Sequence, residues 1–374
     1  MRIAIDARSL EGNKTGVGRY LENLLRVWKG KEGCEFILYF KDAIPEGELL
    51  EGGKFTLRKL DNPLGFSSNF FFQHVLLPYG LKKDKADFFF SPFYLRPFFC
   101  PVRSAIVLHD ISYEAHPEWF DKRSQFVLRM LSKASARRAD IIFTPSAFSK
   151  SEIVRYYGAS SEKIIVTPLA PDGSFKTIVS EEKAIEVRGK YGLGKFVFSV
   201  GTVFSRRHIP EIIRAFGKYC EKDRGYQLMI VGRNETFPYI DIDAMIGEVN
   251  GRLGKENVIR VDSVSENELM ALYSGCEAVI YLSDYEGFGL PVVEGQSFGK
   301  PVITSRNTSL IEVGGDSVEY VLENKEENIF RSLEKVLENE DYRGELVSRG
   351  KENLRRFDWK VCAENTLSSI MGLK

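Results

Sequence analysis

Two α/β domains, each built on a parallel sheet, are the architecture the sequence predicts, and three observations predict it. The chain has 374 residues, long for one core and comfortable for two, and its 43% hydrophobic and 28% charged content is that of a globular protein. Short apolar runs alternate with helical or loop segments along its whole length, as the strands of such a sheet require. Glycine turns follow the first strand, at Gly12–Gly18, and a late one, at Gly287–Gly289; open α/β sheets hold ligands at such places.

In the amino half, Arg2–Ile5 reads as a strand ending at Asp6, and the loop 12–18 opens a helix with Tyr20, Leu21, Leu24, Leu25 and Trp28 on its apolar face. Gly16 and Gly18 permit close approach of backbone to a ligand, although a simple turn is the plainer meaning of a bare G-x-G. Strand-like runs follow at Phe36–Phe40, Phe55–Leu60 and Asp87–Ser91. The segment Asn69–Gly80, with Phe98 and Phe99, is rich in large apolar residues and reads as core; the alternative is an amphipathic contact with lipid. Strand Ala105–Leu108 delivers His109 and Asp110 at its carboxyl end, with a structural hydrogen-bonding role for the histidine as the plainer alternative. The helix Lys122–Ala139 carries Arg123, Arg129, Lys133, Arg137 and Arg138 on a face read as solvated, while Phe126, Val127, Met130 and Leu131 cluster at helical spacing. Strand Ile141–Thr144, an N-cap at Ser146, helix Phe148–Tyr157 and strand Lys163–Pro168 complete the domain.

In the carboxyl half, Asp172–Gly194 reads as a linker and a charged helix. Strand Phe196–Val200 then runs into Gly201, Thr202 and the pair Arg206, Arg207, ahead of helix Ile209–Tyr219. Two adjacent arginines are as often a solvated pair as a functional one. The planar guanidinium fork nevertheless suits phosphate, at about 1.5–3 kcal/mol for each charged hydrogen bond. Strands Gln227–Val231, followed by Gly232 and Arg233, and Val258–Val261 bring further loops to the same sheet edge. Residues 281–304, YLSDYEGFGLPVVEGQSFGKPVIT, combine the end of a strand (Ala278–Leu282), a glycine turn, a helix opened by Pro291 and a second strand, Pro301–Thr304. Glu286 precedes the turn, and Glu294 is placed in the first helical turn. A helix start favours an anion by roughly 0.3–1 kcal/mol per contact. The turn can therefore hold phosphate while two carboxylates accept hydrogen bonds from sugar hydroxyls on either side, the layout of a nucleotide-sugar. On the plainer view Glu294 only favours the helix dipole and Glu286 is a solvated turn residue.

The formal net charge is zero, but up to Phe175 there are 25 Lys+Arg against 20 Asp+Glu, and beyond it 27 against 32, which together make the 52 of each sign in the chain. That asymmetry is too mild for a nucleic-acid protein, and it leaves room for an amino domain resting near anionic lipid. Cys34, Cys100, Cys220, Cys276 and Cys362 are scattered and odd in number, so free thiols in a reducing compartment are expected. With no signal-peptide layout at Met1–Asp6 and no apolar run of membrane-spanning length, a cytoplasmic protein is expected, with peripheral contact at the inner face of the membrane as the alternative.

The string EGFGLP, followed by Glu294 and then by G-x-PVI, resembles the E-x7-E signature of retaining glycosyltransferases of family 4, also called group 1. TGVGRY (15–20), VLHDISYEAHPEWF (107–120), VGTVFSRRHIPEIIRAF (200–216) and NTSLIE (307–312) resemble further segments of that family in the right order, from Ile3 to about Arg356. The chain departs from the pattern at Ala170, where glycine is usual, at Arg207, where lysine is usual, and at His208, where Asn or Gly is usual.

The resemblance implies the GT-B fold, with two Rossmann-like domains facing across a cleft. Residues 1–172, with a crossover helix at about 357–374, would form the acceptor-side domain and residues 173–356 the donor domain. It implies transfer of a hexose from a nucleotide-sugar to the hydroxyl of a carbohydrate or lipid-linked acceptor, in surface polysaccharide or glycolipid synthesis. Configuration would be retained, with no required metal and no cofactor; GDP-mannose is the first choice of donor and a UDP-sugar the second. By the same resemblance His109 lies against the donor sugar, and Arg206, Arg207 and the backbone of Gly16, Gly18, Gly287, Phe288, Gly289 and Leu290 meet the diphosphate. Glu286 orients sugar hydroxyls, Glu294 takes the ribose, and Gly201, Thr202 and Arg233 line the donor edge. Asp241 and Asp243 match the D-x-D metal motif of a different glycosyltransferase fold but are read as a helix start. A sugar-nucleotide epimerase of the same fold and a non-catalytic nucleotide-sugar sensor are the other readings.

Overall fold

A computed structural model describes residues 1–12, 16–61, 68–120, 122–173, 179–222 and 225–373. The chain divides into two compact units, Met1–Leu169 with Asp358–Lys374, and Ala170–Phe357. Among the described residues, each unit holds one sheet in which every pairing is parallel.

In the first unit the strands are β1 (Arg2–Asp6), β2 (Glu35–Phe40), β3 (Thr56–Lys59), β4 (Phe88–Ser91), β5 (Arg103–Val107), β6 (Ile141–Thr144) and β7 (Ile164–Val166), in the order β3-β2-β1-β4-β5-β6-β7. The central strands are near-continuous hydrophobic runs because helices cover both faces of a parallel sheet; Ile3, Ala4, Ile5, Phe89 and Phe90 are fully buried. In β1, Ile3 pairs with Phe36 on one side and Phe88 on the other, so the register is set by side chains that must all leave water together. The last helix, Trp359–Met371, belongs to this unit: Ala363 accepts a hydrogen bond from the Trp28 indole at 2.9 Å, and Lys31 pairs with Glu364 at 2.9 Å.

In the second unit the strands are β8 (Lys195–Val200), β9 (Tyr226–Val231), β10 (Val258–Val261), β11 (Ala278–Tyr281), β12 (Val302–Ser305) and β13 (Glu319–Val321), in the order β10-β9-β8-β11-β12-β13. Helix Ile209–Cys220 packs Ile212, Ile213 and Phe216 into the core beside Ile230, Ile280 and Ile303. The short strand β13 was not among the expected strands; Ile303, Thr304 and Ser305 pair there with Glu319, Tyr320 and Val321.

Two expectations about apolar surface are corrected. Helix Asn69–Lys83, which passes through a wider turn at Phe72–Leu76, buries Phe72, Leu77 and Leu81 but leaves Phe70, Val75 and Tyr79 exposed, and Phe99 is 84% exposed. On helix Lys122–Arg138 the buried side is Gln125, Ser132, Ser135 and Ala136, while Phe126, Val127 and Met130 face solvent. The polar side turns inward because its partners wait there: Gln125 donates to the Tyr113 carbonyl at 2.9 Å, Ser132 bonds the Tyr157 hydroxyl at 2.8 Å and Ser135 accepts from the Arg96 amide at 3.1 Å. Arg123 lies among residues whose side chains are outside the description. No disulfide joins the five cysteines, all of which are described. Among the described residues, no helix is long and apolar enough to cross a membrane.

Candidate active site

The second sheet reverses its build-out between β8 and β11: the chain goes outward through β9 and β10, then returns to the other side of β8. The crevice beyond the carboxyl ends of these two strands is the topological switch point, where such sheets bind ligands. The loop after β8 carries Gly201, Thr202, Arg206, Arg207 and His208; the loop after β11 carries Asp284, Glu286, Gly287 and Phe288.

The two loops are joined by three contacts. The Asp284 amide donates to the Arg206 carbonyl at 3.0 Å, Arg207 Nη2 lies 3.1 Å from Glu286 Oε1, and His208 Nε2 meets Asp284 Oδ1 at 2.7 Å. The Arg207 and Glu286 side chains are only 13% and 12% exposed, so the solvated-pair and solvated-turn alternatives both fail here. Arg207 also lies over the Tyr281 ring, 4.3 Å from its centroid, and Arg206 over Phe204 at the same distance. Stacked on aromatic faces, the guanidinium groups need less water around them than an ammonium would, which suits arginine at the position where lysine is usual.

His208 adopts φ +54°, the left-handed region that Asn and Gly enter readily, and this is the physical reason for their usual presence here. Burial alone would lower its pKa, but the bonds to Asp284 and Glu211 win and raise it to about 9. Gly201 (φ +119°) and Gly232 carry the crossing of the β8 and β9 ends. A Cβ on Gly232 would sit 2.1 Å from the Gly201 carbonyl oxygen, so no other residue fits. Thr202 lies in the same loop, half-buried. Arg233 contributes its carbonyl, which accepts from Val203 at 2.9 Å, while its side chain is exposed and 3.8 Å from Glu235.

The glycine turn is held from the β12 side. Ser309 donates through its hydroxyl to the carbonyls of Glu286 (2.8 Å) and Phe288 (2.9 Å), and Asn307 donates to Ser283 at 2.9 Å. Gly289, at φ +103°, caps the helix Leu290–Ser297 under the Leu310 side chain. This places Glu294 fifth in the helix, in its second turn rather than the first. It is 7% exposed and accepts a 2.7 Å hydrogen bond from Tyr273, whose ring stacks on Phe298. Burial, then the carboxylate, push the Tyr273 phenol well up. Sequence reading missed Tyr273 and the bonds made by Ser309: a buried tyrosine within a helix and a serine at a helix start carry no local mark of partners 21 and 23 residues away.

Asp241 caps helix Ile242–Leu253 by accepting from the Ala244 amide at 3.0 Å, and Asp243 forms a bidentate pair with Arg260 at 2.8 Å for each bond. Both carboxylates thus have structural work.

In the first unit, Gly16 and Gly18 fall in the first turn of helix Gly16–Trp28 rather than in the preceding loop, of which residues 13–15 lie outside the described residues. His109 follows β5, with its ring edge-on to Tyr20 at 4.9 Å. Its Nε2 lies 3.2 Å from the Pro92 carbonyl; a carbonyl only accepts, so Nε2 carries the proton and Nδ1 is the acceptor. Burial pushes the imidazole down to about 4, against the pull of Asp110, so at neutral pH it is uncharged.

A sequence model described as "Glycosyl transferases group 1" matches residues 180–353, nearly the whole second unit. The chain has the GT-B fold, and its second unit is similar to the group 1 glycosyltransferases. It is 28% identical to the O-antigen chain mannosyltransferase B of Escherichia coli over 392 aligned positions, covering 99% of each chain. It is also 26% identical to the serotype-specific mannosyltransferase WbdA of Escherichia coli across 73% of this chain but only 34% of that one, about a third of its length. Among solved structures, sucrose-phosphate synthase of Thermosynechococcus elongatus superimposes with a TM-score of 0.78 at 16% identity, covering 100% of this chain and 99% of that one. At that identity the likeness speaks for the fold alone.

Proposed function

We propose that this chain is a group 1 glycosyltransferase that moves a mannosyl residue from a nucleotide-sugar, GDP-mannose before a UDP-sugar, to a carbohydrate or lipid-linked acceptor hydroxyl in surface polysaccharide synthesis. Configuration is retained and no metal is required. The observation that carries the donor assignment is the meeting of Arg207 and Glu286, from two different crossovers, at the switch point of the second sheet. The mannosyl choice rests on the named activities of the two relatives.

The barrier is rupture of the bond between the anomeric carbon and the diphosphate, which leaves negative charge on the departing oxygen. Arg206 and Arg207, with the amides at the start of helix Leu290–Ser297, stabilise that charge from a low-dielectric crevice. Glu286 holds Arg207 in place and orients sugar hydroxyls; Glu294, fixed by Tyr273, takes the ribose. His109, being neutral, accepts a hydrogen bond from a sugar hydroxyl through Nδ1 and adds no positive charge. The apolar side chains of Phe70, Val75, Tyr79 and Phe99, with Lys82 and Lys83 nearby in sequence, support peripheral contact with the inner face of a membrane.

A thermal-shift screen of GDP-, UDP-, dTDP- and ADP-sugars tests the donor; at a hundred times its dissociation constant a ligand adds about 2.7 kcal/mol of stability. No shift with any of them ends the donor assignment. With the binding donor and a saccharide acceptor, proton NMR of the product reads the anomeric outcome and EDTA tests for a metal. Conversion of donor without acceptor would favour an epimerase, and binding without turnover a sensor.

A further inference from the structure

The carboxyl ends of β8, β11, β12 and β13 are joined by a chain of polar bonds whose far end, Asn324, lies outside every motif of the sequence. Asn324 follows the edge strand β13 and is half-buried. Its Oδ1 accepts from the Ser305 hydroxyl at 2.8 Å, and its Nδ2 donates to Asp284 Oδ1 at 3.1 Å. Ser305, only 1% exposed, accepts in turn from the Ser283 amide at 3.0 Å. Because Ser283 and Asp284 are consecutive, these bonds close a ring at the start of the loop that carries Glu286.

The direction of each bond is forced. A backbone amide can only donate, so the Ser305 oxygen accepts there and its own proton goes to Asn324. A carboxylate can only accept, so the Asn324 side chain must turn its NH2 to Asp284 and its oxygen to Ser305. From the ring, Asp284 reaches the arginine loop twice: its amide donates to the Arg206 carbonyl at 3.0 Å, and the same Oδ1 meets His208 Nε2 at 2.7 Å. Two residues further on, Glu286 meets Arg207 at 3.1 Å. The loop that places Glu286 is therefore held from β8 on one side and from β12 and β13 on the other. A charged hydrogen bond weakens as its geometry departs from the ideal, so a shift of Asp284 is felt at Arg207.

We propose that Asn324 is a positioning residue for the donor site: acting through Asp284, and without touching the ligand, it fixes the Arg207–Glu286 pair where a diphosphate is bound. The proposal rests on the reading of Arg207 as a diphosphate-binding group.

Two variants of the full chain test it. Asn324→Leu removes both bonds, while Asn324→Asp keeps an acceptor for Ser305 and sets a like charge against Asp284. Ser332→Ala, which loses a 3.1 Å bond to Glu319 of β13 on the core side, controls for simple loss of a hydrogen bond beside the same strand. In calorimetric titration with GDP and UDP, both Asn324 variants are expected to bind at least about 5-fold more weakly, the effect of one hydrogen bond of ordinary net worth, and Ser332→Ala to stay within about 2-fold of the wild type. In an Arg207→Met background the Asn324 substitutions should change affinity by less than about 2-fold, because the group they position is gone. Thermal denaturation of the same combinations needs no ligand: the losses from the Asn324 variants and from Arg207→Met should combine to less than their sum, and those from Ser332→Ala and Arg207→Met should add. Unchanged nucleotide affinity in both Asn324 variants, a loss that persists in full without Arg207, or additive thermal losses would each overturn the proposal. Should Asn324→Leu fail to fold, Asn324→Asp decides by the same criteria. If the wild type binds neither GDP nor UDP, the donor reading falls and the thermal cycle alone decides: a shortfall from additivity keeps the positioning role for whichever ligand Arg207 meets, and additivity removes it.

Discussion

The pair formed by Arg207 and Glu286 makes an asymmetric prediction. At 3.1 Å and an effective dielectric of 20, two unit charges attract by about 5 kcal/mol; after desolvation, the net worth of such a largely buried ion pair falls to roughly 1.5–3 kcal/mol. Arg207→Met leaves a carboxylate that is 12% exposed without its cation, the costlier half of the break, and is expected to destabilise the second unit by about 2–3 kcal/mol. Glu286→Gln leaves Arg207 with an amide oxygen to bind and the Tyr281 ring beneath it, at a cost of about 1 kcal/mol. For a unit of this size, 1 kcal/mol moves the melting temperature by about 2–4 °C, so losses of roughly 4–12 °C and 2–4 °C are expected. The double variant should lose less than the sum of the two. Calorimetric titration with GDP and UDP provides the functional arm: Arg207→Met should weaken diphosphate binding at least about 10-fold, from one lost charged hydrogen bond. Glu286→Gln should leave it unchanged or tighter, because the guanidinium is released from a competing anion. Equal thermal losses in the two single variants, with additivity in the double, would refute the reasoning.

Three further outcomes are expected. His208 has its pKa raised from 6.5 to about 9 in the folded protein, so its contribution is complete below pH 6.5 and is lost as pH rises through about 9. His208→Asn, which accepts the same φ, should flatten that decline in melting temperature between pH 6.5 and 9, and parallel curves for the two proteins would remove the linkage. Glu294→Gln should weaken nucleotide binding by about 10-fold, one charge-assisted hydrogen bond to the ribose, while keeping an acceptor for Tyr273; unchanged affinity in calorimetry would end the ribose role. Gly232→Ala, whose Cβ would lie 2.1 Å from the Gly201 oxygen, should destabilise far more than Gly254→Ala, where space is open and only the +68° φ is strained, at about 1 kcal/mol. Similar denaturation midpoints for these two variants would contradict the close approach of the β8 and β9 ends.

The parts of the site legible in the sequence were those in which a strand, a glycine turn and a helix start lie within a dozen residues of one another. Gly287, Phe288, Gly289 and Leu290 could be placed because the strand end, the two glycines and Pro291 are neighbours in the chain, although the bonds that hold the turn come from Ser309. Arg206 and Arg207 were visible as residues at a strand end, but whether they were solvated was not. That depends on Tyr281 and Glu286, more than seventy positions away in the chain. The misreading of helix Lys122–Arg138 has the same origin. Spacing reveals that one side is apolar and says nothing of what waits opposite, and here Tyr113, Arg96 and Tyr157 offered bonds that drew the polar side inward. Glu294 was located correctly along the chain and misplaced by one turn because helices begin where capping permits, at Gly289.

By itself the sequence determined the two-domain α/β plan, the likeness to group 1 glycosyltransferases and the strand ends of the second sheet at which Arg207 and Glu286 stand, because alternation, glycine turns and strand ends are written in neighbouring residues. Only the tertiary structure decided which charges meet. Arg207 with Glu286, Glu294 with Tyr273 and Arg8 with Asp6 owe their strength to removal from water, and burial belongs to the packed sheet and its crossovers rather than to any one stretch of chain.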